Sequence, residues 1–339
     1  LPNISQVFIT SKNTNLNKER FEACLLQARK FIEEKFDNDE EFYVCSMSTQ
    51  TIVYKGLMLP SAIDEFYLDL KDKKFEAKIC LFHQRFSTNT LPRWHLAQPF
   101  RLLAHNGEIN AIRGNRNWAK ARKSKFSTAL IPEITTFKNL VNEKGSDSSA
   151  LDNMIEILVK GGINTFRALR MVLPPAWQNI HLMDPEIKSF HEYNSMHMEA
   201  WDGPAGIVMS DGRWAICLLD RNGLRPARYQ IDSEGYVTIA SEIGVFPQDE
   251  SNFITKGRIG AGGIFAIDTE TGELIDQSII DNKLKEGKPY RAWLRSKAKY
   301  LESSLYNYAG SGIKLISSVD LNKASKYFML YTEERQSVI

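Results

Sequence analysis

The sequence of 339 residues has no apolar run long enough to cross a bilayer, and no charged-then-apolar segment at its start. A membrane-spanning helix needs about 20 mostly apolar residues, and a secretory leader needs a basic region followed by an apolar one. We therefore expect a folded protein without a membrane span. The expected location is the cytoplasm, or a plastid if the source is a photosynthetic eukaryote.

Cysteine is scarce, with four residues in the chain: Cys24, Cys45, Cys80 and Cys217. They are far apart and form no CxxC pair, so neither a zinc site nor an iron–sulfur cluster built from this chain alone is expected. The glycine-rich run 260–263 lacks the GxGxxG spacing of a dinucleotide site. We expect no metal and no cofactor within this chain.

An excess of one charge is also lacking. The 43 Lys and Arg residues nearly balance the 41 Asp and Glu residues, which leaves a formal charge of +2. Nucleic acids and anionic membranes attract proteins with large basic fields. We expect neither as a partner.

The residues that are present alternate between helical and strand patterns. Residues 17–36 predict a helix with one apolar stripe, formed by Phe21, Cys24, Leu25, Ala28, Phe31 and Ile32. The run GSDSSALDNMIEILVKGG predicts another helix, with Ser146 or Asp147 at its cap. Strands are predicted at 5–10, 77–87 and 101–107, and a hairpin is predicted at 42–56. Two further hairpins turn at Asp211-Gly212 and Glu234-Gly235. Strand groups separated by a helical block predict an α+β layered domain.

Arg85 lies in the run HQRFS, where His83, Arg85 and Ser87 would share one face of a strand. The fork of an arginine binds a carboxylate through two parallel hydrogen bonds. A solvated surface arginine is the alternative interpretation, and it is the commoner one for an isolated arginine.

Asn106-Gly107 follows the apolar run RLLAH. The simple interpretation is an Asn-Gly turn. The functional interpretation is an oxyanion hole, in which the Asn106 amide and the Gly107 backbone N–H bind a developing negative oxygen.

Asp147 lies in the run GSDSS at the start of a predicted helix. Ser and Asp are favoured as helix N-caps, which explains the run structurally. The functional alternative is a carboxylate that binds a substrate ammonium, and the two roles compete for the same side chain.

Together, the functional interpretations of Arg85, Asn106-Gly107 and Asp147 define the chemistry of one substrate. A cation for an α-carboxylate, an anion for an α-ammonium and two donors for an oxyanion fit an α-amino acid with a hydrolysable side-chain amide. Glutamine is the natural candidate. The residues alone do not reveal the attacking nucleophile.

The sequence resembles the glutamine amidotransferase domain of the large chain of glutamate synthase. Order and spacing match from about Ile4 through Asp268, and the long block around HNGEINAIRGNRNW is specific to that family. The resemblance rests on these segments: HQRFSTNT, LAQPFRLLAHNGEINAIRGNRNW, GSDSSALDN, WDGPAGIVMSDG, DRNGLRPARY and ASEIGVF.

The resemblance implies a fold and a division of the chain. Such domains have the fold of N-terminal-nucleophile hydrolases, a four-layer αββα sandwich, here expected to be incomplete at its N-terminus. Residues 1–270 would be the larger, C-terminal part of a type 2 glutamine amidotransferase domain. Residues 271–339 would be a helical extension leading into a central domain.

The resemblance also assigns roles. It makes Arg85 the clamp for the α-carboxylate and Asp147 the partner of the α-ammonium, and it makes Asn106 and Gly107 the oxyanion hole. The family nucleophile is a cysteine at the mature N-terminus. Since this chain begins at Leu1, that cysteine would lie upstream, and the chain alone is expected to show no glutaminase activity.

For the parent protein, the resemblance implies glutamine hydrolysis to glutamate and ammonia, and use of the ammonia to convert 2-oxoglutarate to glutamate. FMN and an Fe–S cluster are implied for the full-length protein only. The implied partners are L-glutamine, the remaining synthase domains, and a small electron-transfer subunit or ferredoxin.

Two other functions stay open at this point. A chain without a nucleophile could serve as a glutamine-binding or structural module. A different class II amidotransferase would share the shorter HxR and HNGxI elements, but no motif of another synthase is present.

Overall fold

The computed structural model describes residues 1–39, 41–84, 91–246 and 250–299. Its contacts divide the chain into a unit of residues Leu1–Ala292 and a second unit of residues Trp293–Ile339. The helices are α1 Lys18–Lys35, α2 Ile63–Phe66, α3 Ile112–Arg122, α4 Asp147–Lys160, α5 Thr165–Val172, α6 Pro185–Ser195, α7 Gln277–Glu286 and α8 Tyr290–Lys297. The strands are β1 Leu103–Gly107, β2 Ala205–Ser210, β3 Trp214–Leu219, β4 Arg228–Asp232, β5 Val237–Ala240, β6 Phe253–Arg258, β7 Ile264–Asp268 and β8 Leu274–Ile275.

Five strands form one antiparallel sheet in the order β1-β2-β3-β7-β8. The predicted turn at Asp211-Gly212 joins β2 to β3, and Ile207 lies opposite Leu218. Asp211 Oδ1 accepts hydrogen bonds from the backbone N–H groups of Arg213 and Trp214, which is how an Asp side chain fixes a turn. The predicted hairpin at Asp211-Gly212 is therefore confirmed.

Three further strands form a second antiparallel sheet in the order β5-β4-β6. The turn between β4 and β5 is held by Asp232 Oδ1, which accepts from the N–H groups of Glu234 and Tyr236. Gly235 in this turn has φ +85°, a left-handed conformation that glycine adopts without steric cost. The predicted hairpin at Glu234-Gly235 is confirmed as well.

The two sheets pack face to face through a cluster that both supply. Cys217 and Leu219 of the five-stranded sheet are buried against Ala227 and Ile259 from the segments bordering the smaller sheet. The rings of Tyr229 and Phe265 stack across the interface with centroids 4.6 Å apart. Burial of this apolar surface is what holds one sheet on the other.

Helices cover the opposite face of the five-stranded sheet. Asp152 of α4 accepts hydrogen bonds from Leu102 N and Leu103 N, at 2.8 and 3.2 Å. Phe166 of α5 contacts Trp214 of β3 edge-on, with ring centroids 4.9 Å apart. The mixed architecture confirms the predicted α+β class. The helical layer and the two sheets correspond to three of the four layers in an αββα arrangement.

Helix α1 is joined to α4 and to the segment that precedes β1 by ion pairs. Glu33 lies 2.8 Å from Arg29 and 2.6 Å from Arg101. Arg29 also pairs with Glu156, and Glu22 pairs with Lys160 at 2.6 Å. The buried face of α1 therefore includes two charged side chains.

The predicted apolar stripe of α1 is consequently wrong in part. Its members Cys24 and Phe31 are exposed, Phe31 by 71%, whereas Glu22 and Arg29 are buried. Periodicity of apolar residues cannot locate a face that is anchored by charge, because the partners lie far away in sequence.

Several predicted strands are absent from the part of the chain that the structure describes. There, residues 5–10 are exposed and have no ladder partner, and neither the predicted hairpin 42–56 nor residues 77–84 belong to a sheet. The end of the predicted strand 77–87, residues 85–87, lies outside the described residues. A β pattern becomes a strand only where a neighbouring strand supplies hydrogen bonds.

The proposed boundary at residue 270 stays a prediction. Helix α7 packs against α5, α6 and β8, all within the unit Leu1–Ala292. None of the helices in the described ranges combines the length and the apolar character needed to cross a membrane.

The ion pairs of Glu33 predict a pH dependence of stability. Burial alone would raise the pKa of Glu33, but the charges of Arg101 and Arg29 outweigh it and lower the pKa from 4.5 to about 2. A lowered carboxyl pKa contributes stability above the unfolded value, and this contribution is lost as the pH falls toward the folded value. Wild type should therefore lose more stability between pH 4.5 and pH 2 than Glu33→Gln.

Urea denaturation at several pH values measures this difference. At neutral pH, Glu33→Gln should be less stable by about 1.5–3 kcal/mol, the range for hydrogen bonds to charged groups. Glu34→Gln, on the exposed side of the same helix, is the matched control and should follow wild type. Parallel pH profiles for wild type and Glu33→Gln would contradict the assignment.

Candidate functional site

The Asn-Gly pair lies at the end of an edge strand. β1 is the first strand of the five-stranded sheet, and Asn106 lies opposite Gly206 of β2. Side chains alternate between the faces of a strand. Since Ala104 lies opposite Val208, which packs between the sheets, Asn106 points toward the smaller sheet. His105 points toward the helices.

Gly107 is fixed by a close approach of two backbone segments. Its φ is +150°, and a Cβ atom at this position would lie 1.8 Å from the Pro204 carbonyl oxygen. No other residue type fits here without moving the backbone. The predicted turn is therefore the glycine end of a strand, and its glycine is required by packing.

The backbone N–H of Gly107 is left available at the strand edge. Pro204 O accepts from Glu108 N, and Ala205 uses its own N–H and carbonyl with Asp220. In an antiparallel ladder, alternate residues direct their N–H groups away from the partner strand. Within the described ranges no acceptor is shown for the Gly107 N–H, which leaves this donor for a ligand oxygen.

Ser146, and not Asp147, caps helix α4, so the two roles considered for Asp147 do not compete. Ser146 is the N-cap of α4, and its side chain accepts from Ser149 N at 3.1 Å. Asp147, at the first helical position, accepts instead from Ile109 N at 2.7 Å through Oδ2. Its side chain remains 21% exposed. The N-terminal end of a helix favours a carboxylate at this position.

His105 and Ser148 join β1 to α4. The His105 Nδ1 lies 2.8 Å from Ser148 Oγ and 3.9 Å from Asp147 Oδ2. Burial lowers the pKa of His105, which favours a neutral ring that exchanges one hydrogen bond with the hydroxyl. These two residues position the end of the strand against the start of the helix.

Two more side chains form hydrogen bonds where the end of β1 meets the start of α4. The Gln98 amide pairs with the His105 backbone, accepting from its N–H at 2.6 Å and donating to its carbonyl at 3.0 Å. Arg116 of α3 donates to the carbonyls of Gly145 and Ser146. The site thus depends on residues 98, 105, 116 and 148, which sequence reasoning did not select. Their position in the sequence could have pointed to them. His105 adjoins Asn106, Ser148 adjoins Asp147, and both Gln98 and Arg116 lie within the segment LAQPFRLLAHNGEINAIRGNRNW.

The structure brings some of the predicted site residues together and leaves others apart. Asp147 and the Asn106-Gly107 segment approach one another through Ile109 and His105. The Asn106 side chain lies on the other face of β1, and no hydrogen bond is shown for it among the described residues. Arg85 lies outside the described residues. A cavity of about 520 Å³ is found elsewhere, lined by neither Asn106 nor Asp147.

Comparison with known proteins gives a consistent result. A sequence profile described as Glutamine amidotransferases class-II matches residues 1–293. The chain is 38% identical to ferredoxin-dependent glutamate synthase 1 of Arabidopsis thaliana, over 100% of this chain and 21% of that protein. It is 41% identical to the glutamate synthase [NADPH] large chain of Bacillus subtilis, over 86% of this chain and 19% of that protein.

A third relative is the glutamate synthase [NADH] of Saccharomyces cerevisiae, 39% identical over 84% of this chain and 13% of that protein. The resemblance predicted from the motifs is confirmed by these relatives. The chain spans about a fifth or less of the length of the relatives it matches.

The close approach at Gly107 predicts a strong effect of one methyl group. Gly107→Ala places a Cβ against the Pro204 carbonyl and should destabilise the protein by on the order of 2 kcal/mol or more. Gly114→Ala is the matched control, because Gly114 lies in α3 with no atom within 4 Å of its added Cβ. It should be neutral or stabilising by about 0.5–1 kcal/mol. Thermal melts compare the two, and equal melting temperatures would refute the packing argument.

Proposed function

This chain belongs to the class-II glutamine amidotransferases, and we propose that it forms the site at which the side-chain amide of L-glutamine is hydrolysed to glutamate and ammonia. The observation that carries the proposal is the junction between β1 and α4. There a partly exposed carboxylate, Asp147, lies beside a strand end whose Gly107 N–H is directed to the open edge.

The two oxygens of the Asp147 carboxylate have different surroundings, which supports an ammonium-binding role. Oδ2 is engaged by the Ile109 N–H, while the Ser148 hydroxyl is 3.4 Å from Oδ1, too long for a strong hydrogen bond. Oδ1 therefore keeps the capacity to accept from a substrate ammonium. A charge-assisted bond of this kind is stronger than one between neutral groups.

The oxyanion role rests on Gly107 and Asn106. As a nucleophile adds to the amide carbon of glutamine, negative charge develops on the amide oxygen. The Gly107 N–H and the Asn106 side-chain N–H would donate to that oxygen, and one such donor contributes on the order of 3 kcal/mol to acyl transfer. The Gly107 donor requires no rearrangement of β1, because its N–H already faces the edge.

The chemical sequence follows from these groups and a thiol. A cysteine thiolate, the nucleophile that the family resemblance implies, would attack the amide carbon. The tetrahedral intermediate collapses as its C–N bond breaks, and the nitrogen takes a proton and leaves as ammonia. Water then adds to the thioester and releases glutamate and the thiol. Arg85 would hold the α-carboxylate throughout these steps.

For the whole protein, we propose that the ammonia converts 2-oxoglutarate to glutamate, as the names of the glutamate synthase relatives suggest. The other synthase domains would be its partners within the chain. The names of the relatives give different electron donors: ferredoxin in Arabidopsis thaliana, NADH in Saccharomyces cerevisiae and NADPH in Bacillus subtilis. The electron donor of this protein therefore does not follow from its family.

FMN and an iron–sulfur cluster would then belong to the rest of the parent protein. The four cysteines are free, and no group of three or more potential metal ligands lies together in the described part of the chain. The glycines 260–263 form a turn between β6 and β7, where no helix N-terminus is available to hold a phosphate. The described residues do not fit either group.

The ammonium role of Asp147 predicts a specific loss of affinity. Asp147→Asn should weaken binding of L-glutamine about 10- to 100-fold, because a hydrogen bond to a charged group contributes about 1.5–3 kcal/mol. Isothermal titration calorimetry on the purified chain measures this change and needs no turnover.

Two comparisons make the test selective. Glu143→Gln, a carboxylate in an exposed ion pair with Lys120, should leave the affinity unchanged. Glutaric acid monoamide, which lacks the α-ammonium, should bind wild type and Asp147→Asn alike. Equal glutamine affinity in wild type and Asp147→Asn would remove Asp147 from the site.

A further inference from the structure

The space between the two sheets is open to solvent at the end next to Asn106. Gly206 lies opposite Asn106 in the ladder between β1 and β2, and opposite residues of an antiparallel pair direct their side chains to the same face. Leu219, opposite Gly206 on β3, belongs to the cluster between the sheets. Asn106 and Gly206 are only half-buried, so a ligand can reach this end of the space.

Arg225 lies against the same end of the ladder. A Cβ atom built on Gly206 would lie 3.3 Å from the Cβ of Arg225 and 3.7 Å from the Asn106 carbonyl oxygen. The start of the arginine side chain therefore packs over Gly206, on the face of the sheet to which Asn106 points. Arg225 is half-buried as well, so its side chain is accessible where Asn106 is accessible.

The segment that carries Arg225 is fixed by a buried carboxylate. Asp220 accepts hydrogen bonds from the backbone N–H groups of Ala205, Asn222 and Leu224, at 2.9, 3.0 and 3.2 Å. These bonds tie residues 220–224 to the start of β2. The backbone at Arg225 is thus positioned before any ligand binds.

The charge of Arg225 has no counter-charge within hydrogen-bond distance in the described part of the chain. There, neither a hydrogen bond nor an ion pair is shown for its guanidinium, whereas Arg221 of the same segment pairs with Asp202. Burial is the main cause of the lowered pKa of His105, and the positive charge of Arg225 lowers that pKa further. The guanidinium therefore acts on the end of β1 and remains available to an anionic group.

The side of the sheet decides which end of glutamine Arg225 would meet. Asp147, the proposed partner of the ammonium, is joined to β1 through Ile109 and His105, and His105 points toward the helices. Arg225 shares the other face with Asn106. The α-carboxylate of glutamine is bonded to the same carbon as the ammonium, whereas the side-chain amide is not. Arg225 would therefore meet the amide end of the substrate.

We propose that Arg225 is a further catalytic residue of the glutamine site, whose guanidinium donates to the amide oxygen as negative charge develops on it beside Asn106. This role rests on the proposed function, because it requires the oxyanion site at Asn106 and Gly107. A hydrogen bond between two charged groups is stronger than one to a neutral oxygen, so Arg225 favours the tetrahedral intermediate over the uncharged amide. Arg225 keeps its proton throughout.

L-Glutamate provides a test that needs no nucleophile. At neutral pH its γ-carboxylate carries a negative charge where glutamine has a neutral amide. Arg225→Gln should weaken binding of L-glutamate to the purified chain at least about tenfold, since it removes a hydrogen bond between charged groups. The affinity for L-glutamine should stay close to that of wild type. Calorimetry measures both affinities, and a merely structural role of Arg225 would change both together.

Two further variants serve as controls. Arg225→Lys keeps the positive charge and should retain more of the L-glutamate affinity than Arg225→Gln. Arg228→Gln removes an exposed arginine of β4 and should bind both amino acids like wild type.

The catalytic role of Arg225 is overturned if wild type does not bind L-glutamate, or if Arg225→Gln binds it as tightly as wild type. Equal losses of affinity for L-glutamine and L-glutamate would also overturn it. Failure of the proposed function is a different result, namely L-glutamine binding that Asp147→Asn does not weaken.

If thermal melts show that Arg225→Gln does not fold, a crystal structure of wild type with L-glutamate decides. A γ-carboxylate oxygen within hydrogen-bond distance of the Arg225 guanidinium supports the role, and a γ-carboxylate bound elsewhere overturns it.

Discussion

The hydrogen bond from the Ile109 N–H to the Asp147 carboxylate joins the end of β1 to the start of α4, and the proposed chemistry depends on that junction. A substrate amino acid must be held by its ammonium while its amide oxygen reaches the oxyanion donors. These contacts come from different elements, so their spacing is set by how strand and helix meet. One oxygen of Asp147 fixes the junction, and the other is the proposed acceptor for the substrate ammonium.

The junction is reinforced on every side by groups that do not touch substrate themselves. His105 and Ser148 bridge strand and helix, and the Gln98 amide satisfies the edge of β1 at His105. Pro204 leaves no room for a side chain at position 107. A hydrogen-bond donor that is held in place before reaction stabilises a developing charge without reorganisation, which explains why so many side chains serve one short segment.

Local chemistry made part of the fold predictable. The hairpins at Asp211-Gly212 and Glu234-Gly235 depend on neighbouring residues, and both are present. The face of α1 was not predictable, because Glu22 is buried by pairing with Lys160, distant in sequence. The strand pattern at 5–10 has no ladder partner among the described residues, and no local signal could show that.

The site was predictable to the extent that its residues form motifs. Asn106, Gly107 and Asp147 follow from the substrate profile and from the resemblance, whereas the contact between His105 and Ser148 spans residues that only the fold brings together. Only the coordinates show that Ser146 caps α4 while Asp147 accepts from Ile109 N instead, since both residue types suit a helix cap.

The most direct test of the junction is an experimental structure of the chain with L-glutamine bound. The account predicts the ammonium nitrogen within hydrogen-bond distance of Asp147 Oδ1 and the amide oxygen within hydrogen-bond distance of the Gly107 N–H, with Asp147 Oδ2 still accepting from Ile109. Glutamine bound with its ammonium away from Asp147, or a Gly107 N–H paired with protein, would contradict it.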